Sequence, residues 1–166
     1  MMKGFITTAL LLILSGLVHA QPCTTPGQTP STALPVCGTT IFNQTTVPIC
    51  GTQSLGVPGC SGAAYSDKNP FWYKFTCFQS GTLGFLIQPV NPGDDYDWQL
   101  YDITNRDPNE VYTNINLVVT GNWAGTFGNT GASPSGVNFI QCASDPAANL
   151  NSFSTMPNLI QGHTYL

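Results

Sequence analysis

The chain has 166 residues, of which 42% are hydrophobic, 11% aromatic and only 7% charged, with a formal net charge of −4. Charged residues ordinarily make up about a quarter of a soluble chain, so this surface is built from Thr, Asn, Gln, Ser and Gly instead. The apolar content excludes an intrinsically disordered chain, and the scarcity of cations excludes an electrostatic footprint for nucleic acid or an anionic membrane.

Residues 1–20 read as a secretory signal peptide. Lys3 supplies the positive start, residues 6–17 the apolar run, and Val18-His19-Ala20 a cleavage site before Gln21. The run is short for a bilayer span and is followed by polar, Pro-rich sequence. The expected address is therefore secreted or on the outer cell surface. Once that segment is removed, Lys68, Lys74 and Arg106 are the remaining cations against eight acids.

Residues 21–33 form a Pro/Thr/Gly stretch without pattern and are expected to be a linker. The domain is expected over 34–166. In its first part Pro35, Pro48 and Pro58 alternate with Gly38, Gly51, Gly56 and Gly59, which limits strands to short pieces near 39–42 and 53–57. Cys23, Cys37, Cys50 and Cys60 fall in or beside this region, and Cys77 and Cys142 follow later. Six cysteines in an exported chain are expected to be disulfide-bonded, with fifteen connectivities open. No CxxC spacing points to zinc or redox chemistry.

Three alternating runs come next, over 71–78, 82–88 and 96–103, and period-two alternation is the mark of a strand with one buried face. In the first, Phe71, Tyr73, Phe75 and Cys77 share a face. Leu83, Phe85 and Ile87 do so in the second, and Tyr96, Trp98 and Leu100 in the third. Tyr73, Phe85 and Trp98 are expected to meet in one interior. Gln79-Ser80-Gly81 and Asn91-Pro92-Gly93 make the turns. A fourth strand is expected over 114–120, a long Gly/Asn/Ser loop over 121–136, a fifth strand over 137–142, irregular chain over 145–157, and a last run opening at Leu159 that Leu166 cuts short. A helical apolar period is nowhere sustained. The expected fold is an all-β, antiparallel, jelly-roll-like β-sandwich, incomplete at its last strand.

The order Asn69-Pro70-Phe71-Trp72-Tyr73-Lys74-Phe75-Thr76-Cys77, Gly81-Thr82-Leu83-Gly84-Phe85 and Gly93-Asp94-Asp95-Tyr96-Asp97-Trp98-Gln99-Leu100-Tyr101-Asp102 resembles a domain near the N-terminus of large secreted Bacteroidota proteins. Those proteins commonly continue into PKD repeats and a gliding-motility-associated C-terminal sorting domain read by the type IX secretion system. Together with Leu159-Ile160-Gln161-Gly162-His163-Thr164-Tyr165, the same order also looks like the pre-peptidase C-terminal jelly-roll module. The resemblance implies a module of a cell-surface or secreted multidomain protein, with the type IX machinery as a partner through a region beyond Leu166. This chain itself carries neither PKD repeat nor sorting domain.

Six of the eight acids lie between Asp94 and Glu110. Asp94, Asp95 and Asp97, beside the carbonyls of the Asn91 turn, offer the oxygen ligands Ca²⁺ prefers; turn-capping and solvated carboxylates are the plainer account of the same residues. Some pre-peptidase-like modules bind calcium, so the resemblance favours that ion; no other cofactor is expected. Trp123 and Phe127 stand in the Gly-rich loop, where exposed rings can stack on sugars; the alternative is that Trp123 folds back over the open end of the sandwich. No catalytic residues are expected. Beyond residue 20, His163 is the one histidine through which a Ser-His or Cys-His scheme would run, and it is expected to be an exposed strand-edge residue. The functional expectation is a non-catalytic module of an exported cell-surface or adhesin-like protein, binding an extracellular glycan or a surface protein. The competing readings are a carbohydrate-binding module accessory to a secreted hydrolase, and a hydrolase using Asp97 or His163.

Overall fold

A computed structural model describes residues 22–37, 41–45, 49–62, 64–143 and 151–166; the expected signal peptide and the first half of the expected strand at 39–42 lie outside them. In chain order the strands are β1 (Leu34–Pro35), β2 (Tyr73–Thr76), β3 (Gly81–Thr82), β4 (Phe85–Ile87), β5 (Trp98–Tyr101), β6 (Val118–Asn122), β7 (Thr130–Ser133), β8 (Phe153–Thr155), β9 (Asn158–Leu159) and β10 (Thr164–Tyr165). Short 3₁₀ turns occupy Pro30–Thr32, Pro108–Tyr112 and Ile115–Leu117. The fold is all-β. Among the described residues, no helix is long and apolar enough to cross a membrane.

The ladders pair as β1-β2-β10, β5-β6, β4-β7-β8 and β3-β9. Tyr101 and Leu166 exchange backbone hydrogen bonds of 2.9 and 3.0 Å, and Asp102 bridges Tyr165, so β5-β6 continues the first ladder. That layer runs β1-β2-β10-β5-β6. Most pairs are antiparallel, as expected, but β1-β2 and β7-β8 are parallel.

Alternation decides which layer each side chain meets. Trp98, Leu100, Tyr165 and Cys77 of the first layer pack with Phe85 and Ile87 of β4, Ala132 of β7, Leu159 of β9 and with Met156, which together form the facing layer. Phe85 meets Trp98 edge-on at 4.7 Å, and Phe75 stacks on Tyr165 at 5.6 Å. This is the interior of a β-sandwich. Trp72, Tyr101, Ile103 and Leu166, pointing the other way, form a second cluster with Val111 and Leu117. The two latter residues come from the 3₁₀ turns, so the first layer is buried on both faces.

Several expectations are corrected here. Tyr73 does not join Phe85 and Trp98; its ring contacts Phe71 and Phe42 instead. Trp72 takes the deep position on the opposite face. The expected linker is part of the fold. Pro30 is fully buried and Gln28 nearly so, while Trp72 N–H donates to Gly27 O at 2.7 Å.

The run 82–88 is two strands, changing partner at Gly84, where a Cβ would lie 2.8 Å from Met156 Sδ. Residues 115–117 turn before β6 begins, and the expected long loop contains the end of β6 and all of β7. β7 was illegible because it is made of small residues. Gly131, at φ 145°, lets it approach β4 so closely that a Cβ would sit 2.2 Å from Phe85 O. Residues 137–142 contribute a single bridge, Val137 to Ser154, and β8 lies in the stretch expected to be irregular.

Cysteine pairing is corrected as well. Cys23–Cys50 and Cys60–Cys142 are bonded, with Cα separations of 5.2 and 5.5 Å. Cys37, exposed, and Cys77, buried, stand outside both bonds. Cys77 behaves as a small core hydrophobe, with its thiol donating to Gln79 O at 3.1 Å.

Candidate functional site

A cluster of titratable contacts lies where β10 meets the end of β5. His163 Nδ1 is 2.6 Å from Asp102 Oδ2. The other carboxylate oxygen accepts from Thr104 N–H at 3.0 Å and from Thr104 Oγ1 at 2.6 Å. Thr164 N–H in turn donates to Thr104 Oγ1 at 3.0 Å, and the imidazole lies nearly parallel to the Tyr165 ring. The result is a closed ring of contacts that clips the last strand to its neighbour. Desolvation raises the Asp102 pKa, but the hydrogen bonds from Thr104 and His163 outweigh it and hold the carboxyl below the usual aspartate range. His163 is half-buried and partnered, not the exposed edge residue expected. The 61-residue separation hid the pair.

A second polar network crosses the other face of β5. Gln99 Oε1 accepts from Trp123 Nε1 at 2.6 Å, and Gln99 Nε2 donates to Gly56 O and to Tyr101 Oη. Trp123 is buried edge-on against Tyr65 at 4.9 Å, in a cluster with Val57. The expected glycan pair is therefore broken up. Trp123 covers the end of the sandwich, and Phe127 is left 67% exposed. Asp67, buried, accepts from Gln53 N–H and from Tyr112 Oη at 2.6 and 2.8 Å. Its pKa is raised, because desolvation exceeds what those bonds return.

The acidic turn divides its carboxylates. Asp94 Oδ1 accepts from Asn91 Nδ2 at 3.2 Å, while Asn91 Oδ1 accepts from Gly93 N–H, an Asx-type turn. Asp97 is an exposed residue, but protein atoms crowd the water around its carboxyl group. Desolvation, helped by the Asp95 charge, pushes its pKa to about 7, and desolvation raises Asp95 too. Among the described residues, no three His, Cys, Asp or Glu side chains gather to hold a metal ion. Asp97 and Asp102 do not share a site.

The sign of the Asp97 shift has a measurable consequence. Its folded pKa exceeds the unfolded value of about 4, so the native state holds more protons than the unfolded state between those values. Stability then rises as pH falls from about 7 towards about 4. Asp97→Asn should be more stable than wild type near pH 8 and should flatten this rise. Urea unfolding across that range checks it; a flat wild-type profile contradicts it.

An open cleft of about 250 Å³ lies between β6 and the β8–β9 connection, lined by Val119, Thr120, Val137 and Met156 among others. Its lining carries no titratable side chain; Val119, Val137, Met156 and Pro157 give it apolar walls, and Thr120, Asn138, Thr155 and Asn158 neutral polar groups. In comparisons with known proteins, no family model, curated protein or solved structure matches the chain.

Proposed function

We propose that this chain is a non-catalytic module of an exported cell-surface or adhesin-like protein. The observation that carries this reading is the pair of disulfides, which close segments of 27 and 82 residues. Such bonds persist in oxidising compartments and are rare in the cytosol. The export segment at residues 1–20 agrees with that address. His163 supports the non-catalytic part of the reading: its Nδ1 and the Asp102 carboxylate are spent on joining β10 to β5. In this reading, the exported protein engages the type IX secretion machinery, and the module meets a glycan or a surface protein outside the cell.

The test is expression of the chain with its first residues intact in a bacterium with a cell envelope. Recovery outside the cytosol, with an N-terminus at Gln21 and a gel mobility that shifts on reduction, is expected. A reduced chain retained in the cytosol with Met1 still attached would sink the proposal.

A further inference from the structure

Two kinds of aromatic contact coexist in this fold. Phe85–Trp98 and Phe75–Tyr165 lie inside the sandwich. The run Phe71–Tyr73–Phe42 does not belong to any of the buried clusters. Its ring centroids are 6.3 and 5.8 Å apart, with planes tilted by 30° and 45°. Phe42 keeps 50% of its surface exposed, and neighbouring Ile41 89%. Gln44 lies against the middle ring, its Oε1 accepting from Tyr73 Oη at 2.9 Å.

We infer that the Phe71–Tyr73–Phe42 row with Gln44 is a binding site for a neutral polysaccharide. This rests on the surface-module reading above and names its ligand class. Sugar rings present apolar C–H faces to aromatic side chains and hydroxyls to amides and phenols; this row supplies all three kinds of group. The spacings of 6.3 and 5.8 Å between successive ring centroids place three aromatic groups within reach of one oligosaccharide. Charge selects the neutral class. With 7% charged residues in the whole chain and neither a cation nor a carboxylate among these four side chains, nothing in the row recognises an anionic glycan or a phosphate. The site differs from the one expected from sequence, at Trp123 and Phe127: its middle ring, Tyr73, belongs to β2 and Phe71 just precedes that strand. Phe71 and Tyr73 share a face of that strand, as alternation requires, and Phe42 extends their row from a separate segment.

Affinity electrophoresis of the exported protein in native gels containing xylan, galactomannan, laminarin or hydroxyethyl cellulose tests this. Wild type should be retarded on at least one of the four. Phe42→Ala, which removes an exposed ring without opening the core, should weaken the apparent affinity at least tenfold, and Phe127→Ala should leave it unchanged. If Phe42→Ala fails to fold, Phe42→Leu keeps apolar bulk without the ring face and should show the same loss. Unretarded wild type in all four gels overturns the inference, as does a folded Phe42 variant retained as strongly as wild type. Wild type that is exported and oxidised but unretarded removes this site alone; a chain kept reduced in the cytosol removes the module reading, whatever the gels show.

Discussion

Replacing Cys60 and Cys142 together by alanine is expected to lower folding stability by about 4.5 kcal/mol, against about 3.5 kcal/mol for the Cys23/Cys50 pair, on the loop-entropy account of a cross-link. The ordering follows from the closed segments of 82 and 27 residues. A longer loop gives the reduced, unfolded chain more freedom to lose on folding. The first bond has a further local role. Cys60 and Ile140 pack against the cluster of Val57, Tyr65 and Trp123, and Trp123 N–H donates to Gln141 O. Loss of the bond should therefore loosen the cover over that end of the sandwich as well. Guanidinium unfolding of both double variants measures the difference; a larger loss for Cys23/Cys50 would contradict the order.

Tyr101→Ala is expected to cost about 3–5 kcal/mol, the range for emptying a large buried aromatic site. Tyr101 is 1% exposed, lies 5.9 Å from Trp72 and shares its cluster with Ile103, Val111, Leu117 and Leu166. Its hydroxyl accepts from Gln99 Nε2 at 3.0 Å, so truncation also strands an amide donor. Tyr73→Ala, outside the buried clusters, should cost only about 1 kcal/mol. The comparison separates two pictures of the first layer. Near-equal losses would mean that its second face is solvated and not a core.

That second face also marks where the sequence stops being legible. Period-two alternation correctly placed Trp98 and Leu100 on one side of β5 and Gln99 and Tyr101 on the other. It tells which residues share a face, but not which faces acquire a cover. The cover here is the pair of 3₁₀ turns, and one had a readable signal. Asp107 caps Asn109 N–H, Pro108 opens the turn, and Glu110 returns a bond to Asp107 N–H, a capping box written in the order D-P-N-E. Without that cover, Trp72 reads as outward and Tyr73 as inward, the reverse of the depths found.

The candidate site was less legible for different reasons. Trp123 stands in a Gly-rich stretch, and only the buried partner Tyr65 and the amide of Gln99 explain its position. Asp102 and His163 are joined by the pairing of β10 with the end of β5, a non-local event that no spacing encodes. An even number of cysteines suggested full pairing, yet Cys77 is placed by strand alternation in the apolar interior beside Trp98, Leu100 and Tyr165.

A non-reducing peptide map of the exported protein puts the whole picture at risk in one step. It should yield two linked pairs, Cys23 with Cys50 and Cys60 with Cys142, and an alkylated Cys77 that reacts only after unfolding. Any peptide joining Cys77 to another cysteine, or a chain with neither pair oxidised, would contradict it.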